Sequence, residues 1–462
     1  MAGTMSPVDV ARAFDPARLG QARRFRAMTK TDLHRVVGVS ANAIGQYERG
    51  EISPRAETVA SLASALDVPV AFFSLGRPGV RVEVAQASFR RLRSTTVAQQ
   101  QQATAYVELV WELSRYLEHD VEFPSIDLPA WAGADSDDVP DPVTAARLMR
   151  AHWGLGTEPI PHLVYELEQH GILTVLFSMR ETETDPKRKI DAFSTSSLPR
   201  PMIVLTPDKA DDVMRHRFSG AHELGHVVLH HGRHGSDTNM ERDADIFAAE
   251  FLTPREIIQH ELPRRMNLAK LDDVSIRWGV SIHSLLYRCR ELDLISDSTY
   301  RRAFITLNTV KPTTYSIRDY PGERPELLKN ALALLDEDGT SLADVANDLR
   351  VSPRIIRRLA DVDEPPAPRL SLVRTAGDSD GRLADPDTTD DHEEGGAMPN
   401  RSSISVRYIS NSAATRHPRN SIAETGANRT SARQNRSAAN GRDITPAAPA
   451  RNLHTSLAGK EK

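Results

Sequence analysis

His222, Glu223 and His226 stand in the pattern H-E-x-x-H, flanked by apolar residues at helical spacing. Residues four apart share one face of a helix, so both imidazoles can address a single ion. Two imidazoles suit Zn2+, and a carboxylate beside the first is placed to act as a general base. A catalytic zinc takes three protein ligands and keeps one position for water. The segment Glu241–Glu250 offers the missing carboxylate. Glu241 is the leading third ligand, with Asp243, Asp245 and Glu250 as rivals. Asp245 lies one turn after Glu241, where it can accept a hydrogen bond from the far nitrogen of a ligating histidine. In this chemistry Glu223 takes a proton from the zinc-activated water and passes it to a leaving amine, and hydroxide attacks a carbonyl. The competing reading is a solvated helix with two surface histidines. Phe218, Leu224, Val227 and Val228 oppose it, because they bury the helix and buried polar groups need partners. His230, His231 and His234 follow at once, and read as solvated loop residues, extra metal contacts or an electrophile for an oxyanion.

A second set of residues points to nucleic acid. Asp15-Pro16 starts a helix, the aspartate capping and the proline first inside, and Leu19, Ala22, Phe25 and Met28 follow at helical spacing. Thr29 opens the next helix, Gly38-Val39 makes a turn, Ser40 caps a third helix and Gly50 ends it. Such a pair of helices presents its second member to the DNA major groove, N-terminal residues foremost. Ser40, Ala41 and Asn42 occupy that end, with Gln46 one turn on. Asn and Gln can read adenine through paired hydrogen bonds. Arg23, Arg24, Arg26, Lys30 and Arg35 are available to phosphates. The alternative is a plain helical bundle with a solvated basic face.

These residues need elements to hold them. The spacing of Tyr106, Leu109, Val110, Leu113 and Leu117 predicts one long helix after the glutamine run Gln99–Gln102. Pro124–Pro142 reads as an exposed connector. Helices over Val143–Trp153 and Ile160–His170 precede short strands at Leu173–Phe177, Ala192–Ser194 and Met202–Leu205. The H-E-x-x-H helix then begins near Val213, and more helices run to about residue 305. Residues 324–360 hold another helix pair with Ser341 as a cap, and 341–359 repeat the helix-turn-helix spacing with Arg354, Arg357 and Arg358 behind. That repeat reads either as structural packing or as a second DNA contact. Trp278–Ser281, a turn before a helix cap, reads as packing. The expected fold class is mainly α with a small α+β domain. The divisions are 15–76 for DNA binding, 77–142 for a helical linker, 143–310 for the metal domain, 311–362 for a C-terminal helical segment and 363–462 for a tail. Asp378–Glu394 is acidic, and 400–462 is rich in serine, alanine, asparagine and arginine. That composition reads as disordered, since it buries too little apolar surface to offset chain entropy.

The 462 residues suggest two or three domains, and 39 % hydrophobic with 26 % charged residues is ordinary for a soluble protein. A net charge of -5 excludes a polycation, so any nucleic-acid contact must be a local patch. The single cysteine, Cys289, excludes an internal disulfide and a cysteine-rich zinc module, fits a reducing cytoplasm and reads as a small buried residue. Neither a signal peptide nor a membrane-spanning run is evident, so a bacterial cytoplasmic location without membrane contact is expected.

Two resemblances sharpen the picture. The run from Met28 to Phe73 resembles the XRE, or Cro/C1, type of helix-turn-helix in its opening threonine, Gly38-Val39-Ser40, Tyr47-Glu48-x-Gly50, Pro54 and Leu66-Asp67-Val68. The family carries glutamine where Lys30 stands, which implies a phosphate contact for Lys30 rather than a base contact. It also implies a homodimer on a palindromic double-stranded operator. "RHRFSGAHELGHVVLHH" followed by "ERDADIFAAEFLTP" resembles the ImmA/IrrE family of bacterial zinc metallopeptidases, as do "DAFS" at 191–194 and "RPMIVL" at 200–205. The spacing of Glu241 and Asp245 is similar to the gluzincin pattern. Members of this family cleave a helix-turn-helix repressor. The resemblance thus implies a transcription regulator carrying a zinc endopeptidase, acting on a separate repressor or on its own linker near 77–105. The alternative is a repressor or antitoxin, paired with a cognate toxin, whose peptidase-like domain only senses or scaffolds.

Overall fold

The computed structural model describes residues 5–77, 79–82, 96–132, 139–178, 192–195, 198–207, 211–231, 238–310, 314–316, 320 and 322–364. The N-terminal bundle comprises α1 (Pro7–Arg12), α2 (Pro16–Phe25), α3 (Lys30–Val37), α4 (Ala41–Glu48) and α5 (Ala56–Leu66), closed by a 3-10 turn at Val70–Phe73. Its caps are those expected from the sequence. The Asp15 side chain accepts from Ala17 N, and Thr29 and Asp32 form a reciprocal capping box. Gly38 ends α3 at φ 78°, a conformation that excludes most side chains, and Ser40 accepts from Ala43 N. Leu19, Leu33, Ile44, Val59 and Leu62 form the centre and are fully buried.

The long helix α6 (Val97–Leu117) was expected within a linker, yet it is buried along most of its length. The reason is that its apolar residues enter the core of the bundle, while its polar residues hold two arginines of α2 and Arg77. Glu112 takes Arg18 and Arg77, and Glu108 takes Arg24 at 2.9 Å. The next stretch, expected as an exposed connector, is pinned where it is described. Trp153 Nε1 donates to Asp127 O at 2.8 Å, and Arg200 donates to Pro124 O and Gly171 O, each at 2.8 Å.

Helices α7 (Pro142–His152) and α8 (Leu163–Gln169) lead into strands β1 (Leu173–Leu176), β2 (Ala192–Thr195) and β3 (Met202–Leu205). The strand order is β1-β3-β2, with β1 parallel and β2 antiparallel to β3. All twelve strand residues are buried, because alternate side chains enter two different cores. Leu173, Val175, Phe193, Met202 and Val204 join the core shared by the N-terminal bundle and α6. Leu176, Ala192, Ile203 and Leu205 join the second core.

That second core is built on α9 (Val213–Leu229) and α10 (Thr238–Leu252), followed by α11 (Arg255–Glu261), α12 (Leu268–Trp278), α13 (Ile282–Glu291) and α14 (Asp297–Val310). α9 and α10 pack closely at Gly225, where a Cβ would lie 3.1 Å from Phe247 and 3.2 Å from the Ala244 Cα. The C-terminal region was expected as a helix pair. It is a set of three, α15 (Leu327–Glu337), α16 (Leu342–Asp348) and α17 (Pro353–Leu359), and Ser341 caps α16 as expected. The segment read as a disordered tail lies outside the described residues beyond 364. Among the described residues, no helix is long and apolar enough to cross a membrane.

Candidate functional site

α9 is fixed at its start by Asp212, whose side chain accepts from Met214 N, and by Val213 N donating to Tyr315 O at 2.7 Å. It lies on β2 and α10 with His222, Glu223 and His226 all buried. The two Nε2 atoms of His222 and His226 face each other at 3.1 Å. The Glu241 carboxylate on α10 closes the triangle, 3.3 Å from His226 Nε2 and 3.7 Å from His222 Nε2. Two ligands held about 2.0–2.1 Å from one ion at a tetrahedral angle stand about 3.3 Å apart, so this donor set fits a single ion of zinc's size and preference. Among the described residues, His222, His226 and Glu241 are the group able to hold a metal ion.

The residues around the triangle support that assignment. His222 Nδ1 contacts Asp245 Oδ1 at 2.8 Å, which places the proton on Nδ1 and leaves the Nε2 lone pair facing the centre. His226 Nδ1 meets His230 Nδ1 at 3.0 Å, so His230 is a buried partner of a candidate ligand rather than a solvated loop residue. His234 lies outside the described residues, as does Asp191. Of the rival ligands, Glu250 is buried in ion pairs with Arg147 and Arg288, which removes it from the centre. Burial raises the Glu241 carboxyl, but hydrogen bonds and charge from His222 and His226 outweigh it and hold the group well below the usual carboxylate range.

Glu223 points to β2, where Ser194 Oγ donates to its Oε2 at 2.6 Å. Ser194 was legible as a strand residue and not as part of the site. Spacing along one helix carries no information about which strand lies against it.

In the N-terminal bundle, Ser40, Ala41 and Asn42 stand together at the start of α4, with Asn42 exposed and Gln46 half-buried one turn on. Lys30 Nζ is 3.3 Å from Glu48 Oε2, and Glu48 also takes Arg23. Arg23 and Arg24 face inward to Glu48 and Glu108, so neither is a surface cation for phosphates. Arg35 is exposed beside Asp32. Arg49 and Arg55, both exposed between α4 and α5, are further cations that helical spacing did not single out.

Comparison with known families agrees with this geometry. Residues 20–73 match the helix-turn-helix family model, and residues 167–290 match the IrrE N-terminal-like domain of the M78 peptidases. No curated protein matches the chain. The chain therefore carries an XRE-type helix-turn-helix domain at 20–73 and an IrrE/ImmA-like peptidase-family domain at 167–290.

Proposed function

We propose that the chain is a DNA-binding transcription regulator whose zinc-dependent endopeptidase domain hydrolyses a peptide bond in a regulatory protein. The observation that carries this reading is the convergence of His222, His226 and Glu241 beside the buried carboxylate of Glu223. These three residues would hold the ion, which when bound acts as a Lewis acid on a scissile carbonyl and makes water acidic near neutral pH. Asp245 keeps His222 in the tautomer that leaves Nε2 free. Glu223 receives the proton of the attacking water and delivers it to the nitrogen of the leaving amine. Ser194 orients that carboxylate by holding Oε2, so that Oε1 is the proton acceptor.

On the DNA side, Ser40, Ala41 and Asn42 would meet base edges, with Gln46 deeper along α4. Lys30 would reach a phosphate by leaving Glu48, and Arg35 by leaving Asp32. The operator would be a palindrome read by a homodimer. The working division is 15–76 for DNA binding and 143–310 for peptide hydrolysis, with 77–142 between them and 311–362 after.

A second reading, a repressor or antitoxin whose peptidase-like domain senses or scaffolds, draws on the buried Arg18–Glu112 and Arg24–Glu108 pairs. They hold the DNA-binding bundle against α6, a design that can transmit a binding event without turnover. Incubation of the purified chain, and of Glu223→Gln, with co-encoded regulators separates the two readings. Cleavage by the wild type and none by the variant is the expected result. No cleavage of any regulator or of the chain itself, with operator binding intact in both proteins, would leave only the second reading.

A further inference from the structure

The C-terminal helices repeat the N-terminal module position by position. Thr29 and Asp32 form the capping box of α3, and Ser341 and Asp344 form that of α16. Gly38 is left-handed nine residues after Thr29, as Arg350 is nine residues after Ser341. Ser40 caps α4 two residues later, as Ser352 caps α17. Ahead of each box stands another left-handed residue, Ala27 in one unit and Gly339 in the other. The offset is 312 residues throughout, as 27 pairs with 339, 38 with 350 and 40 with 352. The buried positions coincide as well, Leu33 with Val345, Ile44 with Ile356 and Tyr47 with Leu359. α15 precedes α16 across the same interval that separates α2 from α3.

We propose that residues 327–359 form a second helix-turn-helix unit that contacts duplex DNA through Arg354 and Arg357 of α17. On the shared register Arg354 stands where α4 has Asn42, and Arg357 where it has Gly45. The Arg354 side chain is 73 % exposed, and its pairs with Asp67 at 3.8 Å and Glu364 at 3.4 Å are surface pairs that a phosphate can displace. Arg357 makes no ion pair among the described residues. Guanidinium groups suit both phosphate oxygens and the paired acceptors of guanine. These two arginines line a groove of about 440 Å3 with Arg26, which lies just before α3.

The acids of α16 and the one just after α17 are engaged elsewhere, while Asp336, Glu337 and Asp338 at the end of α15 are exposed. Asp344 serves its capping box, Asp348 accepts from the Tyr116 hydroxyl at 2.8 Å, and Asp361 pairs with Arg324. Arg358, the counterpart of Gln46, is an anchor and not a reader. Its guanidinium lies over the rings of Phe25 and Phe177 and donates to Ser178 O. Arg77 donates to Leu349 O, and Arg350 donates to Leu75 O. The second unit is thereby fixed beside the first, and the two would cover one continuous footprint.

This inference rests on the DNA-binding reading of the first unit, and the experiment separates the two. Binding of the full chain to random-sequence and selected duplexes is followed by fluorescence anisotropy across a salt series, with hydroxyl-radical footprinting. For Arg354→Ala/Arg357→Ala the affinity should fall roughly tenfold, and the slope of log K against log salt should lessen by about 2. The footprint should shorten on one side, while circular dichroism stays that of the wild type. Arg354→Lys/Arg357→Lys should restore the salt slope. Unchanged affinity, slope and footprint, with sequence selection lost in Asn42→Ala/Gln46→Ala, would overturn the second contact and leave the first reading standing. Failure of the wild type to bind any duplex would overturn both.

Discussion

Two imidazole nitrogens 3.1 Å apart in a buried site repel unless a proton or a cation lies between them, and a zinc ion held also by the Glu241 carboxylate would meet that need. About one zinc per chain is therefore expected by elemental analysis, and His222→Ala should lose it. Asp245→Asn should keep the fold but weaken zinc affinity roughly 10- to 100-fold in a chelator competition, because a neutral amide oxygen holds the His222 proton on Nδ1 less strongly than a carboxylate and can be replaced there by the amide NH2. An affinity equal to the wild type would remove Asp245 from its positioning role. Glu223→Gln should retain zinc and lose about 10^2- to 10^4-fold in cleavage rate. Ser194→Ala should lower kcat more than it raises KM, since Ser194 touches Glu223 and not the triangle. A pure KM effect would argue for substrate contact instead.

At the scale of elements, α9 depends on close packing and on buried caps. At Gly225, a methyl group would press on Phe247 and on the α10 backbone. Gly225→Ala should cost about 1–3 kcal/mol in urea unfolding, and a neutral effect would mean that α10 can shift without penalty. The caps of α8 and α15 are exchanged. Glu323 accepts from Leu163 N and Val164 N, whereas Glu168 accepts from Glu326 N and Leu327 N. Glu323 also pairs with Arg217 of α9, tying that helix to the segment ahead of α15. Burial pushes the Glu168 carboxyl up to about 8, against the opposing pull of the two backbone donors. Between the ordinary glutamate value of 4.5 and about 8 the folded chain then binds more protons at this site than the unfolded chain. Stability should fall as pH rises through that window. Glu168→Gln should show a smaller loss between pH 5 and pH 8 in urea midpoints, and parallel slopes would sink the assignment.

For the molecule as a whole, the sheet is the shared wall of two cores, and α6 joins the DNA-binding bundle to one of them. The link is ionic and buried. Removing Glu112 would leave buried Arg77 without a carboxylate partner and Arg18 with only the longer contact to Asp15 at 3.8 Å. Glu112→Ala should therefore cost roughly 3–5 kcal/mol. It should unfold the N-terminal bundle at lower denaturant than α9 and α10, read as separate transitions in circular dichroism and in release of the zinc proposed to sit between them. One transition shared by both probes would show that the bundle does not depend on this pair. Cys289, buried in the second core with its thiol pushed up to about 11, should resist alkylation until that core opens.

Periodicity and capping chemistry are local, so the sequence by itself determined α2, α3 and α4 of the N-terminal bundle, the three short strands and the start of α9, whereas the short α1 ahead of Asp15 was not read. His222 and His226 were legible for the same reason, since their spacing sets a common helical face. The sequence put Glu241 ahead of Glu250 but did not carry the physical reason for that preference. The reason is which carboxylate α10 turns toward α9 and which it turns toward Arg147 and Arg288. Ser194 entered the site only through packing, His230 was one of three histidines until packing selected it, and α6 became a buried pillar because its apolar residues enter the core and its two glutamates meet arginines some 80 to 95 residues away in the chain. The inward turn of Arg23 and Arg24 has the same cause. A residue's partner across a long loop is decided by which surfaces can bury together, and only the tertiary structure resolves that.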